Sequence, residues 1–317
     1  MFSITYAQQQ GFDMVTLRDN SNQTAVDIVP ECGALLHAFK VMHKGAELNV
    51  IDSYESKEIF DTAFEAKGFK GAKLSPFVCR MKNGEYHFGE KAYKINKFYL
   101  GTHAIHGLIY DKPFEIISES ADEEKARLEV CFHYTGQDEG YPFCYDCIVV
   151  FELSHNNSLT VSTTILNTDK GIIPVCDGWH PYFTFGNSID DCQLEFQSKE
   201  MVTFDKDLIP TGNVEPWQEF GSLKKIEDTF FDNCFTVNFA ECQPMLIFRD
   251  PVKEIQLEVR PAKTYPFLQI YTPAHRQSIA IENLSAAPDA FNNGMGLISL
   301  ATGEQTHFST NYTITSL

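Results

Sequence analysis

The sequence predicts an all-β protein of antiparallel sheets, a large sandwich or barrel with few short helices, and three observations carry that reading. Apolar residues recur at period two, or in short unbroken runs, over segments of strand length. Most of those segments are bounded by Asp, Asn, Gly or Pro, whose backbone freedom or local hydrogen bonding favours turns. No Gly/Ser/Pro-rich linker, charge block or internal repeat divides the 317 residues, so one domain over 1–317 is expected.

In chain order, the best helical stretch is 52–64, where Asp and Ser open a segment carrying Tyr54, Ile59, Phe60, Ala63 and Phe64. Strands are expected over 127–134, 144–153, 159–167, 245–248, 255–259, 267–271 and 278–282. With 43% apolar residues, 26 Phe and 13 Tyr, the chain can fill a sizeable core. The nine cysteines sit mostly as single residues in apolar runs (Cys79, Cys131, Cys176, Cys234), where a reduced thiol acts as a small hydrophobe, so no disulfides are expected.

A formal net charge of −18 argues against nucleic acid or an anionic membrane as partner, because both require a basic surface. A neutral or cationic small molecule fits better. The N-terminus lacks a basic segment followed by an apolar one, and no run approaches 18 apolar residues, so a cytoplasmic location is expected. A monomer is the default, with a dimer open.

The richest segment is Asp177-Gly178-Trp179-His180-Pro181-Tyr182-Phe183. Aromatic faces can cover the C–H surface of a pyranose, an imidazole can bond or protonate a ring oxygen, and Gly and Pro shape the turn. Alone, the block also reads as a packed corner whose histidine bonds a backbone carbonyl.

Further segments occur with it in order: Arg80 before a Gly-rich turn, Thr102-His103-Ala104-Ile105-His106-Gly107, and Phe231-Asp232-Asn233-Cys234-Phe235. Ile279-Ala280-Ile281-Glu282-Asn283 and Pro288-Asp289-Ala290-Phe291-Asn292-Asn293 complete the series. Together they resemble the aldose 1-epimerase (galactose mutarotase) family over most of the chain. The resemblance implies a galactose-mutarotase-like β-sandwich, a supersandwich of antiparallel sheets with the site on a concave face. It also implies exchange of sugar anomers without a cofactor. Glu282 is then the base for the C1 hydroxyl and His180 the acid for the ring oxygen, with His106 bonding the ring oxygen or a neighbouring hydroxyl. A carboxylate and an imidazole on opposite sides of the reacting centre are what ring opening is expected to need.

Arg80 and Asp232 suit a diol, the guanidinium donating as a fork and the carboxylate accepting from two hydroxyls. Asp228 competes with Asp232 for that role. Trp179 and Tyr182 are expected to pack on the sugar, and His103 to be structural or on the rim. Many family members carry Arg-x-x-Asn-Arg where this chain has Pro76-Phe77-Val78-Cys79-Arg80, so only the second Arg is present, which bears on galactose preference more than on the reaction.

Three other classes fit the residues less well. A metal centre is poorly served, since His103-x-x-His106 and Cys144-x-x-Cys147 supply only pairs and strand residues three apart face opposite ways. A glycoside hydrolase would need a second carboxylate such as Asp232 or Asp177 beside Glu282. A non-catalytic carbohydrate-binding protein would keep the aromatic face without the chemistry. A hexose-6-phosphate mutarotase stays open because Lys67, Lys70, Lys73 and Arg80 lie close in sequence, although a solvated loop is the better reading of them.

Overall fold

The computed structural model describes residues 1–317. Its strands form two large antiparallel sheets, a five-stranded N-terminal sheet and smaller ribbons. The nine-stranded sheet runs Glu115–Ala121, Lys125–Thr135, Cys144–Ser154, Ser158–Asn167, Gln305–Ser316, Ile255–Pro261, Leu246–Asp250, Gln193–Phe196, Lys224–Lys225. The expected alternation is visible in Cys144–Ser154, where Tyr145, Cys147, Val149, Phe151 and Leu153 are buried and the residues between them half-buried.

The second large sheet carries the site. It runs Pro210–Pro216, Ser198–Phe204, Asp232–Val237, Phe267–Tyr271, Ile279–Leu284, Gly178–His180, Ala72–Leu74, with Tyr182–Phe183 also paired to Ile279–Leu284. The core lies between the two large sheets: Trp179 meets Phe151 with ring centroids 6.1 Å apart, and Phe183 meets Tyr312 at 5.4 Å. One buried apolar cluster extends from Phe2 to Ile314. The fold is therefore all-β, as the periodicity predicts.

The expected strands are present, most of them extended at their ends or shifted by a residue or two. The N-terminal sheet, Phe2–Gln9, Phe12–Asp19, Thr24–Val29, Leu35–His43 and Ala46–Asn49, is missing from the expectation. Its outer strand does alternate at Phe2, Ile4 and Tyr6 although it is mostly exposed, whereas Thr24–Val29 is buried at every position and shows no period-two contrast. The helix begins at Lys57, not at 52, because Ser56 is the N-cap and its hydroxyl accepts from the Ile59 amide. Asp52 is committed elsewhere, to Lys70 at 2.6 Å and to Ser278 at 2.7 Å.

All nine cysteines are free, and all but Cys144 and Cys242 are buried. No helix is long and apolar enough to cross a membrane.

Candidate active site

The site is assembled by register. Gly178 pairs with Leu284 and Tyr182 with Ala280, so His180 stands across from Glu282 even though Pro181 interrupts the ladder. On the other side of the same strand Glu282 pairs with Gln269, and Tyr271 pairs with Asp232. Side chains two apart on a strand share a face, so His180, Tyr182, Glu282, Gln269, Tyr271 and Asp232 all line one cleft of about 270 Å³.

Arg80 and His106 enter from outside that sheet. Arg80–Met81 pairs with His103–Ile105, and the His106 amide donates to Cys79 O at 2.9 Å. His106 has φ +62° and Gly107 φ +79°. A Cβ on Gly107 would lie 2.2 Å from Ser75 O, so only glycine lets the chain pass here and turn His106 into the cleft. The Pro288–Asn293 segment is a brace behind Arg80. The Asp289 amide donates to Arg80 O at 2.7 Å, and Asp289 Oδ1 accepts from the Lys82 amide at 2.9 Å.

His180 Nε2 lies 3.3 Å from Glu282 Oε1, with both side chains almost fully buried. Burial pushes the Glu282 carboxyl well above its usual range, and the Asp232 charge raises it further against the opposing pull of Arg80. Burial also pushes the His180 imidazole down, to about 4. Both shifts favour the uncharged form of the pair, with its one proton on the carboxyl, and groups this close titrate as a unit. His106, 4.9 Å from His180 between ring centroids and edge-on to it, is driven well below the imidazole range by burial, then by the His180 and Arg80 charges. It is neutral, offering one donor and one acceptor.

Glu282 Oε2, His106 Nδ1, His180 Nδ1 and Gln269 Oε1 are buried with no protein partner. Unsatisfied buried polar atoms converging on a cleft suit a ligand that supplies both donors and acceptors, as a polyol does. Asp232 Oδ1 accepts from Gln269 Nε2 at 3.0 Å, which orients it. Burial raises the Asp232 carboxyl, opposed by the Arg80 charge and the Gln269 bond. A one-proton carboxyl–imidazole pair can take a proton from one oxygen and deliver one to a neighbouring oxygen.

The sequence expectations need three corrections. Trp179 does not line the cleft: strand alternation turns it to the reverse face, where its ring packs on Phe151 and lies 4.6 Å from Lys73 Nζ. Glu282 and His180 do not flank the cleft from opposite sides, because neighbouring antiparallel strands present them side by side. Asp177 is not a second carboxylate for the site; it is fully buried behind it, bonded to Lys73 Nζ at 2.5 Å and to Tyr265 OH at 2.7 Å.

Other expectations resolve plainly. Asp232 is in the cleft and Asp228 is exposed outside it. The lysine cluster is dispersed, Lys67 to Glu55 at 2.8 Å, Lys70 to Asp52 at 2.6 Å and Lys73 to Asp177, leaving Arg80 alone of the four in the cleft. His103 turns away from His106 and accepts from the Asn83 amide at 3.0 Å through Nδ1. The Tyr182 hydroxyl is bonded to Gly68 O at 2.8 Å and its ring stacks on His180 at 5.1 Å. Gln269 and Tyr271 escaped the sequence reading, although Gln and Tyr two apart among Phe, Leu and Ile do mark a polar strand face. Phe204 and Leu208, which overhang the cleft from a hairpin, left no such signal.

The family model described as aldose 1-epimerase matches residues 13–313. Over 243 residues the chain is 28% identical to an uncharacterized Escherichia coli protein, YihR, covering 74% of this chain and 75% of that one. A galactose mutarotase-like protein from Clostridium acetobutylicum superposes with a TM-score of 0.87 at 18% identity, over 100% of this chain and 99% of that one. A galactose 1-epimerase from Lactobacillus acidophilus gives 0.83 at 18% identity with the same coverage. At these identities the structural likeness establishes a shared fold.

Proposed function

The chain belongs to the aldose 1-epimerase family, and from that premise we propose that it is a mutarotase interconverting the α and β anomers of a free hexose such as galactose or glucose. The observation that carries the reading is the buried contact between Glu282 and His180. Both oxygens that exchange protons, the C1 hydroxyl and the ring oxygen, are bonded to C1, so acid and base must be neighbours.

In the reactive arrangement Glu282 is the carboxylate and His180 carries the proton. Glu282 takes the C1 hydroxyl proton as His180 gives its own to the ring oxygen and the C1–O5 bond breaks. The open aldehyde then faces a neutral imidazole and a protonated carboxyl, the distribution burial favours. After rotation about C1–C2, His180 takes the proton back from the C5 hydroxyl as that oxygen attacks C1, and Glu282 protonates the new C1 oxygen. His106 hydrogen-bonds the ring oxygen or the hydroxyl beside it. Arg80 and Asp232 hold a diol at the far end, and Tyr182 and Phe69, which also lines the cleft, cover the ring face.

A phosphorylated hexose is less well served, because Lys67, Lys70 and Lys73 are each paired elsewhere. A purely binding role has no use for a desolvated one-proton pair. The test is polarimetry: pure α-D-glucose and α-D-galactose are dissolved at neutral pH with and without protein. Faster relaxation to the same final rotation, in proportion to protein, is expected. A blank with both sugars that persists with hexose 6-phosphates and pentoses overturns the catalytic reading, and release of an aryl group from an aryl glycoside would replace it with hydrolysis.

A further inference from the structure

Away from the cleft, where the N-terminal sheet meets the nine-stranded sheet, two strands have one edge unpaired. Phe2–Gln9 ends the first sheet and Glu115–Ala121 ends the second. They are tied near one end, where the Phe2 amide donates to Asp122 O at 2.9 Å and the Tyr6 hydroxyl donates to Glu119. Beyond that point they part, and a groove of about 700 Å³ opens between them. It shares no residue with the cleft. We propose that this groove docks an extended segment of a partner protein in which apolar residues alternate with Lys or Arg, added as a strand along Glu115–Ala121.

The backbone supplies the first argument. An edge strand carries a row of N–H and C=O groups without partners, and a segment laid along it can bond them. Glu115–Ala121 is exposed at all seven positions. It presents Ile116 and Ile117, 41% and 48% exposed, and Tyr6, which also lines the groove, is 58% exposed. Below them Met14, Val15, Pro30 and Phe114 make an apolar floor. Side chains of a strand alternate, so an incoming segment sets every second residue on that floor and the others at the rim.

The rim fixes the sign of the partner. Asp13, Glu31 and Glu115 line the groove, and no Lys, Arg or His lines it to neutralise them. The side-chain bond they receive is from Gln8 Nε2 to Asp13 Oδ1 at 3.2 Å. Lys or Arg at the rim positions of the incoming strand meets these carboxylates, which gives register and selects against acidic partners. A second copy of this chain is the poorer occupant, because it brings a net charge of −18 and the same acidic rim.

The probe is a fluorophore-labelled peptide of seven residues alternating Lys and Val, with blocked ends, titrated with the full chain and followed by fluorescence anisotropy. One control peptide has Glu for Lys. The other has Pro for the central Val, which keeps the charge and removes a backbone donor. The Lys–Val peptide is expected to bind at least about tenfold tighter than either control, and to lose about tenfold in affinity for the double variant Glu31→Lys/Glu115→Lys. Ile116→Ser leaves the charge alone and should weaken binding about fivefold. Thermal melts matching the parent's show that each variant is folded. Equal binding of the Pro peptide means that charge alone holds it and overturns the strand addition. Absence of saturable binding, or affinities that neither variant moves, overturns the docking site. A parent dimer in sedimentation equilibrium that Ile117→Lys dissociates assigns the groove to a second copy, and the proposal falls.

Discussion

Glu282 Oε1 lies 3.3 Å from His180 Nε2, and the two side chains reach each other from adjacent antiparallel strands of one sheet. Neither can drift without disturbing the pairing of Gly178 with Leu284 and of Tyr182 with Ala280. The distance is thus a property of the backbone ladder, which is how a β-sheet fixes two side chains relative to each other.

Glu282→Gln and His180→Asn should each lower kcat by ~10²–10⁴, the range of a positioned acid or base. The double variant should lose little more than the worse single one, because the two act as a unit. Polarimetric kcat values check this, and losses within about threefold of the parent would show the roles to be misassigned.

The pH profile of kcat/KM should be bell-shaped. Below the lower limb, near 4, His180 takes up a second proton and the pair has no base; above the upper limb, which lies beyond the usual carboxylate range, the pair has lost its proton and no acid remains. Stability follows the same shifts. The Glu282 value is raised by folding, so its stabilising share is present below the unfolded value and lost as pH rises through the folded one; Glu282→Gln should therefore raise Tm relative to the parent increasingly toward alkaline pH. The His180 value is depressed, so its share is lost as pH falls from the imidazole range toward 4. Thermal melts across pH distinguish the two.

Arg80→Ala and Asp232→Asn should raise KM by about tenfold or more, as loss of charge-assisted bonds to a diol does, with a smaller effect on kcat. Gln269→Ala should follow Asp232→Asn in direction with a smaller size, since Gln269 orients that carboxylate from 3.0 Å. A kcat loss without any KM change in these three would contradict their placement on the substrate.

Trp179 and Lys73 should behave as structural residues. Trp179→Phe weakens the cation–π contact and leaves a void, costing about 1–3 kcal/mol in denaturant unfolding while KM stays within about threefold. Lys73→Met leaves Asp177 buried without its ion-pair partner, at about 3–5 kcal/mol. Replacing both partners with apolar residues should recover much of that loss.

Gly107→Ala meets Ser75 O at 2.2 Å and must hold φ near +79°, so it should cost roughly 2 kcal/mol or more and lower kcat by displacing His106. An unchanged kcat would detach His106 from the reaction.

The sequence by itself determined the sheet class and the strands near 127–167 and 245–282, and, through the motifs that resemble the family's, pointed to Glu282, His180, His106, Arg80 and Tyr182 as cleft residues. Alternation and turn chemistry are local, and motif residues carry their identity wherever the chain takes them. Only the tertiary structure decided what depends on register between distant strands. It set Gln269 beside Glu282, chose Asp232 over Asp228, and placed acid and base side by side. It sent Trp179 behind the sheet to cover Lys73 and paired off the lysines that sequence proximity had grouped. A one-residue change of phase turns a strand side chain from cleft to core, and ion pairs form across separations of up to a hundred residues and more; neither is visible in a linear chain.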